Sequence, residues 1–207
     1  MKPQLFIFLG RSGCGKGTQT TLLTKHLSVI SAGSAVTYVS TGEEFRKLIT
    51  SPTYTGNRVK EIVDRGDFVP SFLAAMMWSS VIAKDYTEGS HMIIDGSPRT
   101  IAEKEILDTI HHFYGENCIF DFEATHVVYL NVSSEWATDK LLKRAEKEGR
   151  KDDTKEAIAK RMFWYENFVA KVIEAYKTDT RVSFHEINGE QTIEEVHGEL
   201  ISKVFHS

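Results

Sequence analysis

Short, nearly continuous apolar runs alternate along the chain with longer stretches in which apolar residues return every three or four positions. The short runs, at residues 4–9, 36–40, 91–95, 126–132 and 181–187, read as strands buried on both faces. Helical patterns between them predict an α/β fold, a doubly wound parallel five-stranded sheet flanked by helices with right-handed crossovers. The clearest helix covers 154–176, where Ile158, Met162, Tyr165, Val169, Val172 and Tyr176 form one stripe. Asp153, with Glu156 three residues on, is expected to cap it. Gly66 follows another helical run and is expected to end it in the left-handed conformation. Two segments are less embedded: 41–70, with a turn cluster at 51–57, and the charged 145–153. No internal repeat interrupts residues 1–207, which read as a single domain.

Composition narrows the function. At 207 residues, 41% hydrophobic and 26% charged, the chain is long enough for one well-filled globular domain. A net charge of −4 argues against nucleic acid or an anionic membrane as partner, so any phosphate site must gather positive charge locally. Cys14 and Cys118 make no disulfide framework, which points to a reducing, cytoplasmic setting. The run at 5–9 is too short for a signal-peptide core, and no stretch reaches a transmembrane length. The eight histidines show no zinc-ligand spacing, and His111 and His112 fall on different helix faces; they read as scattered surface and core residues.

The chemistry begins at Gly10-Arg-Ser-Gly-Cys-Gly-Lys-Gly-Thr18, after the first strand and before a helix carrying Leu22, Leu23 and Leu27. In that context Gly10, Gly13, Cys14, Gly15, Gly17 and Thr18 are expected to turn backbone N–H groups toward phosphates at a helix N-terminus. Lys16 is expected to reach the terminal phosphates. Gly17 stands where a hydroxyl usually ligates magnesium, so that ligand is missing there. Cys14 invites a redox role, but a small side chain filling a tight place accounts for it better.

Three further segments follow in order. Ser40-Thr-Gly-Glu-Glu-Phe-Arg46 succeeds the second strand, Asp95-Gly-Ser-Pro-Arg-Thr100 ends the third, and Leu141-Leu-Lys-Arg144 leads into Gly149-Arg-Lys-Asp-Asp153, with Arg161 beyond. Together with the phosphate loop they resemble adenylate kinase and its nucleoside monophosphate kinase relatives, over about residues 5–195. The stretch between Arg144 and Asp153 is short and free of cysteine, similar to the short-lid branch without zinc. Transfer between two polyanionic nucleotides depends on positioning and charge stabilisation. A site rich in guanidinium groups, with no Ser/His/Asp arrangement, suits that chemistry.

The resemblance implies roles. Lys16, Arg99, Arg144, Arg150 and Arg161 would be catalytic. ATP would meet the phosphate loop, Lys140, Arg144 and Gln191. The monophosphate would meet Thr41, Arg46, Asp67, Phe68, Val69, Gly96, Ser97, Pro98, Arg99, Glu103, Arg150 and Arg161. Asp95 would hold Mg2+ through water. The segment 41–70 would be a monophosphate-binding arm and 145–153 a short lid, both closing over substrate, in a protein expected to be a monomer.

Glu103 departs from the family, which places glutamine there to read adenine. An ionised carboxylate accepts two donors, which matches the guanine edge; pointing to solvent is the alternative. AMP leads as acceptor because Thr41 and the arm agree with it, with GMP or relaxed specificity as the alternative. Lys140 replaces an arginine that stacks on the ATP base, which loosens donor selectivity unless Lys140 is simply exposed. Lys171 replaces a frequent proline, implying a straighter final helix. Two other classes compete: a kinase for another small metabolite, and a sensor that binds nucleotides without turnover. The stretches 28–35 and 114–123 are longer than the family pattern and have no functional account.

Overall fold

The computed structural model describes residues 2–31, 33–116, 124–149 and 153–206. The strands are β1 (Gln4–Gly10), β2 (Val36–Ser40), β3 (His91–Asp95), β4 (Ala124–Asn131) and β5 (Ser183–Asn188). They form one parallel sheet in the order β2-β3-β1-β4-β5. Sequence and structure agree on each strand to within two residues, because runs buried on both faces need no alternation to be recognised.

Side chains of the central strands divide by parity. Leu5, Ile7 and Leu9 enter one core with Met92, Ile94, Val127 and Tyr129, while Phe6 and Phe8 enter the other with Ile93, Val128 and Leu130. The first core is closed by α4 (Ser71–Asp85), α5 (Ile101–His111) and residues 165–176; the second by α1 (Lys16–Ile30), α6 (Ser134–Glu148), α9 (Ile193–Phe205) and the side chains of Ile158 and Met162. A separate small core of Phe45, Val59, Leu73 and Ala74 joins α2 (Thr41–Ile49), α3 (Tyr54–Asp64) and α4. Within 51–57 the turn ends at Thr53, whose hydroxyl accepts the Gly56 N–H and starts α3.

The long helix differs from its expected form. It runs as α7 (Lys155–Trp164), a π turn (Tyr165–Val169) and α8 (Ala170–Lys177), so the α-helical hydrogen-bond pattern is interrupted rather than continuous. All six stripe residues are nonetheless buried. Its N-cap is Thr154, which accepts the Ala157 N–H, and not Asp153. The expected cap fails because Asp153 is drawn into an ion-pair network that sequence spacing does not reveal. Gly66 does end α3, with φ of 69° and amides at Gly66 and Asp67 returning to Val63 and Ile62. A Cβ there would sit 2.6 Å from the Ala157 backbone, so glycine also lets α3 approach α7.

Of the longer stretches, 28–31 continues α1 and its end, and a second π turn (His112–Glu116) follows α5. Residues 117–123, with Cys118, lie outside the described residues. The bland histidine reading holds for His91, buried between the Gln4 N–H and the Ser31 hydroxyl. His126 and His185 are hydrogen-bonded to each other at 3.0 Å.

Candidate active site

Parallel strands of this sheet end together. The register pairs Phe8 with Asp95 and Ser40 with Asp95, so the β1–α1, β2–α2 and β3–α5 turns emerge side by side at the carboxyl edge. A cavity of about 670 Å3 opens there, within the range of small-molecule sites. Most of the expected site residues line it: the phosphate loop from Gly10 through Gly13, Cys14, Gly15, Lys16, Gly17 and Thr18, then Arg46, Asp95, Gly96 and Arg99. Asp67, Phe68 and Val69 contribute from the segment after α3, and Lys140, Arg144, Arg161 and Gln191 from the opposite side. Arg150 lies outside the described residues, as do Lys151 and Asp152.

The loop takes its shape from packing. α1 has Gly15 at its N-cap, with no side-chain cap and no acidic residue in the first turn, which leaves its first amides and their partial positive charge facing the cavity. Gly13 has φ of 86°, and a Cβ there would meet the Leu141 side chain at 2.8 Å and the Ala137 carbonyl at 2.9 Å. Glycine therefore seats α6 directly against the loop. Lys16 Nζ donates to the carbonyls of Gly10 and Arg11, each at 3.0 Å. Cys14 is buried with its Sγ close to Gly10, in the space-filling role.

Arg11 escaped the sequence reading. Its guanidinium lies 4.0 Å over the Tyr165 ring, donates to the Val132 carbonyl at 2.9 Å and pairs with Glu166. It ties the loop to the π turn that follows Arg161. An arginine in a glycine loop was the only available signal, and nothing in the spacing named its partners.

Asp95 Oδ2 accepts from the Tyr38 hydroxyl at 3.0 Å and lies 3.9 Å from where a Cβ on Gly17 would be. Burial and the Asp95 charge push Tyr38 up to about 12, so it remains a neutral donor that orients the carboxylate. No group of three or more metal-ligating side chains occurs among the described residues. One carboxylate beside a phosphate loop does fit Mg2+, which keeps several waters and takes its other ligands from phosphates.

The arginines are held in different ways. Arg99 Nε donates to the Gly96 carbonyl at 2.8 Å. Arg144 donates to Asp153 through Nε at 2.8 Å and Nη2 at 3.0 Å, and Arg161 through Nη1 at 2.6 Å. The Asp153 carboxylate is fully buried, while Arg144 and Arg161 remain 30% and 17% exposed and line the cavity. One carboxylate thus fixes two cations on two helices. Arg46 is exposed on α2.

Four expected residues lie behind the wall and not on it. Thr41 is buried, its hydroxyl 2.7 Å from that of Ser97. Ser97 and Pro98, joined by a cis peptide bond, are buried as well. Glu103 is fully buried, which excludes the solvent-facing alternative. Its Oε2 accepts the Arg99 backbone N–H at 2.9 Å while its own N–H goes to the α5 N-cap, Thr100. Burial pushes its carboxyl up, opposed by Arg99. Among the described residues its Oε1 has no hydrogen-bond partner. Lys140 is exposed, with Nζ 4.8 Å over the Trp136 ring.

Across the described residues, no helix is long and apolar enough to cross a membrane. A family model for adenylate kinase matches residues 8–181. The chain is 33% identical over 196 residues to the adenylate kinase of Bifidobacterium longum, covering 95% of this chain and 97% of that one. It is 34% identical to the adenylate kinase of a Nocardioides species, with 92% and 91% covered, and 34% to that of Micrococcus luteus, with 96% and 89%. With that identity spread over nearly the full length of each relative, and the phosphate loop and arginines meeting in one cavity, the chain belongs to the adenylate kinase family.

Proposed function

We infer that this protein transfers the terminal phosphoryl group of ATP to AMP, giving two ADP. The observation that carries this is one cavity in which the phosphate loop and Lys16 face Arg46, Arg99, Arg144 and Arg161. An α-phosphate oxygen of AMP attacks the γ-phosphorus in line. The new P–O bond forms as the bond to the β,γ-bridging oxygen breaks, and its electron pair leaves with ADP. No side-chain nucleophile is required.

Roles follow from position. The loop amides and Lys16 hold the donor phosphates, Arg46 and Arg99 hold the monophosphate, and Arg144, Arg161 and Arg150 stabilise charge on the migrating group. Asp95 would hold Mg2+ through water. That ion, when bound, neutralises charge on the donor phosphates. Segments 41–70 and 145–153 act as arm and lid, excluding water that would otherwise hydrolyse ATP. The separate small core under the arm supports its behaving as a unit. A monomer in the cytoplasm completes the reading, in keeping with the unpaired, buried Cys14.

A guanine acceptor loses its ground at Glu103, whose carboxylate is engaged behind the cavity wall with the Arg99 amide. An ATP-coupled assay against AMP, GMP, CMP and UMP tests the reading. AMP should be preferred at least about tenfold. Preference for GMP would restore the Glu103 alternative, and no acceleration by any monophosphate would point to another metabolite.

A further inference from the structure

Glycines shape the phosphate cradle, but they give a loop little side chain by which to be held. Arg11 supplies a hold from behind the cavity wall. Its carbonyl accepts Lys16 Nζ at 3.0 Å, alongside that of Gly10, and also accepts the Cys14 N–H at 3.2 Å. The residue that carries this guanidinium thus also restrains Lys16.

The Arg11 side chain reaches two other elements. Nη1 donates to the Val132 carbonyl at 2.9 Å, in the turn that leads from β4 to α6 and so toward Arg144. The guanidinium lies over the Tyr165 ring, and Nη2 pairs with Glu166. Tyr165 stands one helical turn beyond Arg161. Its ring is fixed in turn, being buried with its hydroxyl 2.9 Å from that of Tyr129 on β4. The Arg11 side chain is 13% exposed and that of Glu166 54%, so the stacked ring holds the arginine more firmly than the ion pair does.

Together with the Asp153 pairs these contacts close a brace. Asp153 joins Arg144 of α6 to Arg161 of α7, and Arg11 joins the loop to both elements. Lys16, Arg144 and Arg161 therefore share one frame, and in-line transfer depends on the spacing among such cations. We propose that Arg11 is a positioning residue, clamping the phosphate loop and its Lys16 to the π turn beyond Arg161 so that the two cations keep a fixed spacing about the migrating phosphoryl group. The inference rests on the kinase reading above. Lysine at this place keeps the charge but loses the flat fork that stacks on a ring and bonds a carbonyl at once.

Steady-state kinetics with ATP and AMP, with melting by circular dichroism, test this on wild type, Arg11→Met, Arg11→Lys, Arg161→Lys and the double variant Arg11→Met/Arg161→Lys. Arg11→Met keeps the length of the side chain; it should lower kcat about tenfold and leave KM for either nucleotide within about threefold. Arg11→Lys should show the same split at about threefold, and it carries the test if Arg11→Met melts below the assay temperature. A merely structural role would lower the melting point and leave kcat of the folded enzyme unchanged. In the Arg161→Lys background, Arg11→Met should cost no more than about threefold, because the spacing it guards is already lost. The proposal is overturned by kcat within about twofold of wild type in both Arg11 variants, by a loss confined to the ATP KM, or by losses that multiply in the double variant. A wild type inactive with every monophosphate would overturn the kinase reading and this inference with it. An active wild type with insensitive Arg11 variants would sink this inference alone.

Discussion

Asp153→Asn is the sharpest test of how the site is assembled. The wild-type carboxylate is fully buried and, among the described residues, accepts three charge-assisted hydrogen bonds, two from Arg144 and one from Arg161. Asparagine keeps the shape and one acceptor oxygen but removes the charge. Two guanidiniums then face each other across a neutral amide. Removing one member of a buried ion pair costs about 3–5 kcal/mol. Water still reaches part of both arginines, which screens the loss to roughly 2–3 kcal/mol. For a chain of this size that lowers the melting temperature by about 4–12 °C. Displacing an arginine tip by an ångström costs up to about 100-fold in rate, so turnover should fall about 10- to 100-fold. Melting by circular dichroism and initial rates in the coupled assay measure the two effects on one preparation. A melting point within about 2 °C of wild type, together with turnover within about threefold, would refute the claim that this carboxylate positions both cations.

Gly13→Ala should lose both stability and ATP affinity. The left-handed backbone costs about 1–2 kcal/mol with a Cβ, and the clash with Leu141 and Ala137 adds about 1–3 kcal/mol; a melt and an ATP titration check it, and wild-type values would mean that α6 yields freely. Acid should destabilise the fold through His126, which burial and the neighbouring His185 push down to about 4. The unfolded chain, titrating near 6.5, binds the extra proton between those values. Stability is thus complete above about pH 6.5 and falls toward pH 4 by up to ~3 kcal/mol. Urea unfolding between pH 7 and 4.5 reads this, and an equal slope in His126→Leu would place the proton uptake elsewhere.

Strand placement, the phosphate loop and the order of the arginine motifs were legible in the sequence because each is a local signal. A strand covered on both faces is a run of apolar residues, and a phosphate cradle is a glycine pattern between a strand and a helix. Gly66 was legible for the same reason, since left-handed helix ends favour glycine whatever they pack against. Asp153 was misread because its spacing to Glu156 satisfies a local rule, whereas its true partners sit 9 and 8 residues away on two helices. Side-chain charge chose between a cap and a buried ion pair, and that choice depends on where the helices lie.

The chain by itself determined the class of chemistry: backbone amides, one lysine and a set of arginines suited to moving a phosphoryl group. Only the tertiary structure decided which residues line the cavity. It withdrew Thr41, Ser97, Pro98 and Glu103 behind the wall and brought Trp136 onto it. It also bound Arg11 to the π turn after Arg161. Motifs persist along the sequence because the geometry of a loop or a strand is set by neighbours. Exposure of a side chain to a cavity is set by helices packed across the sheet, and no local spacing encodes it.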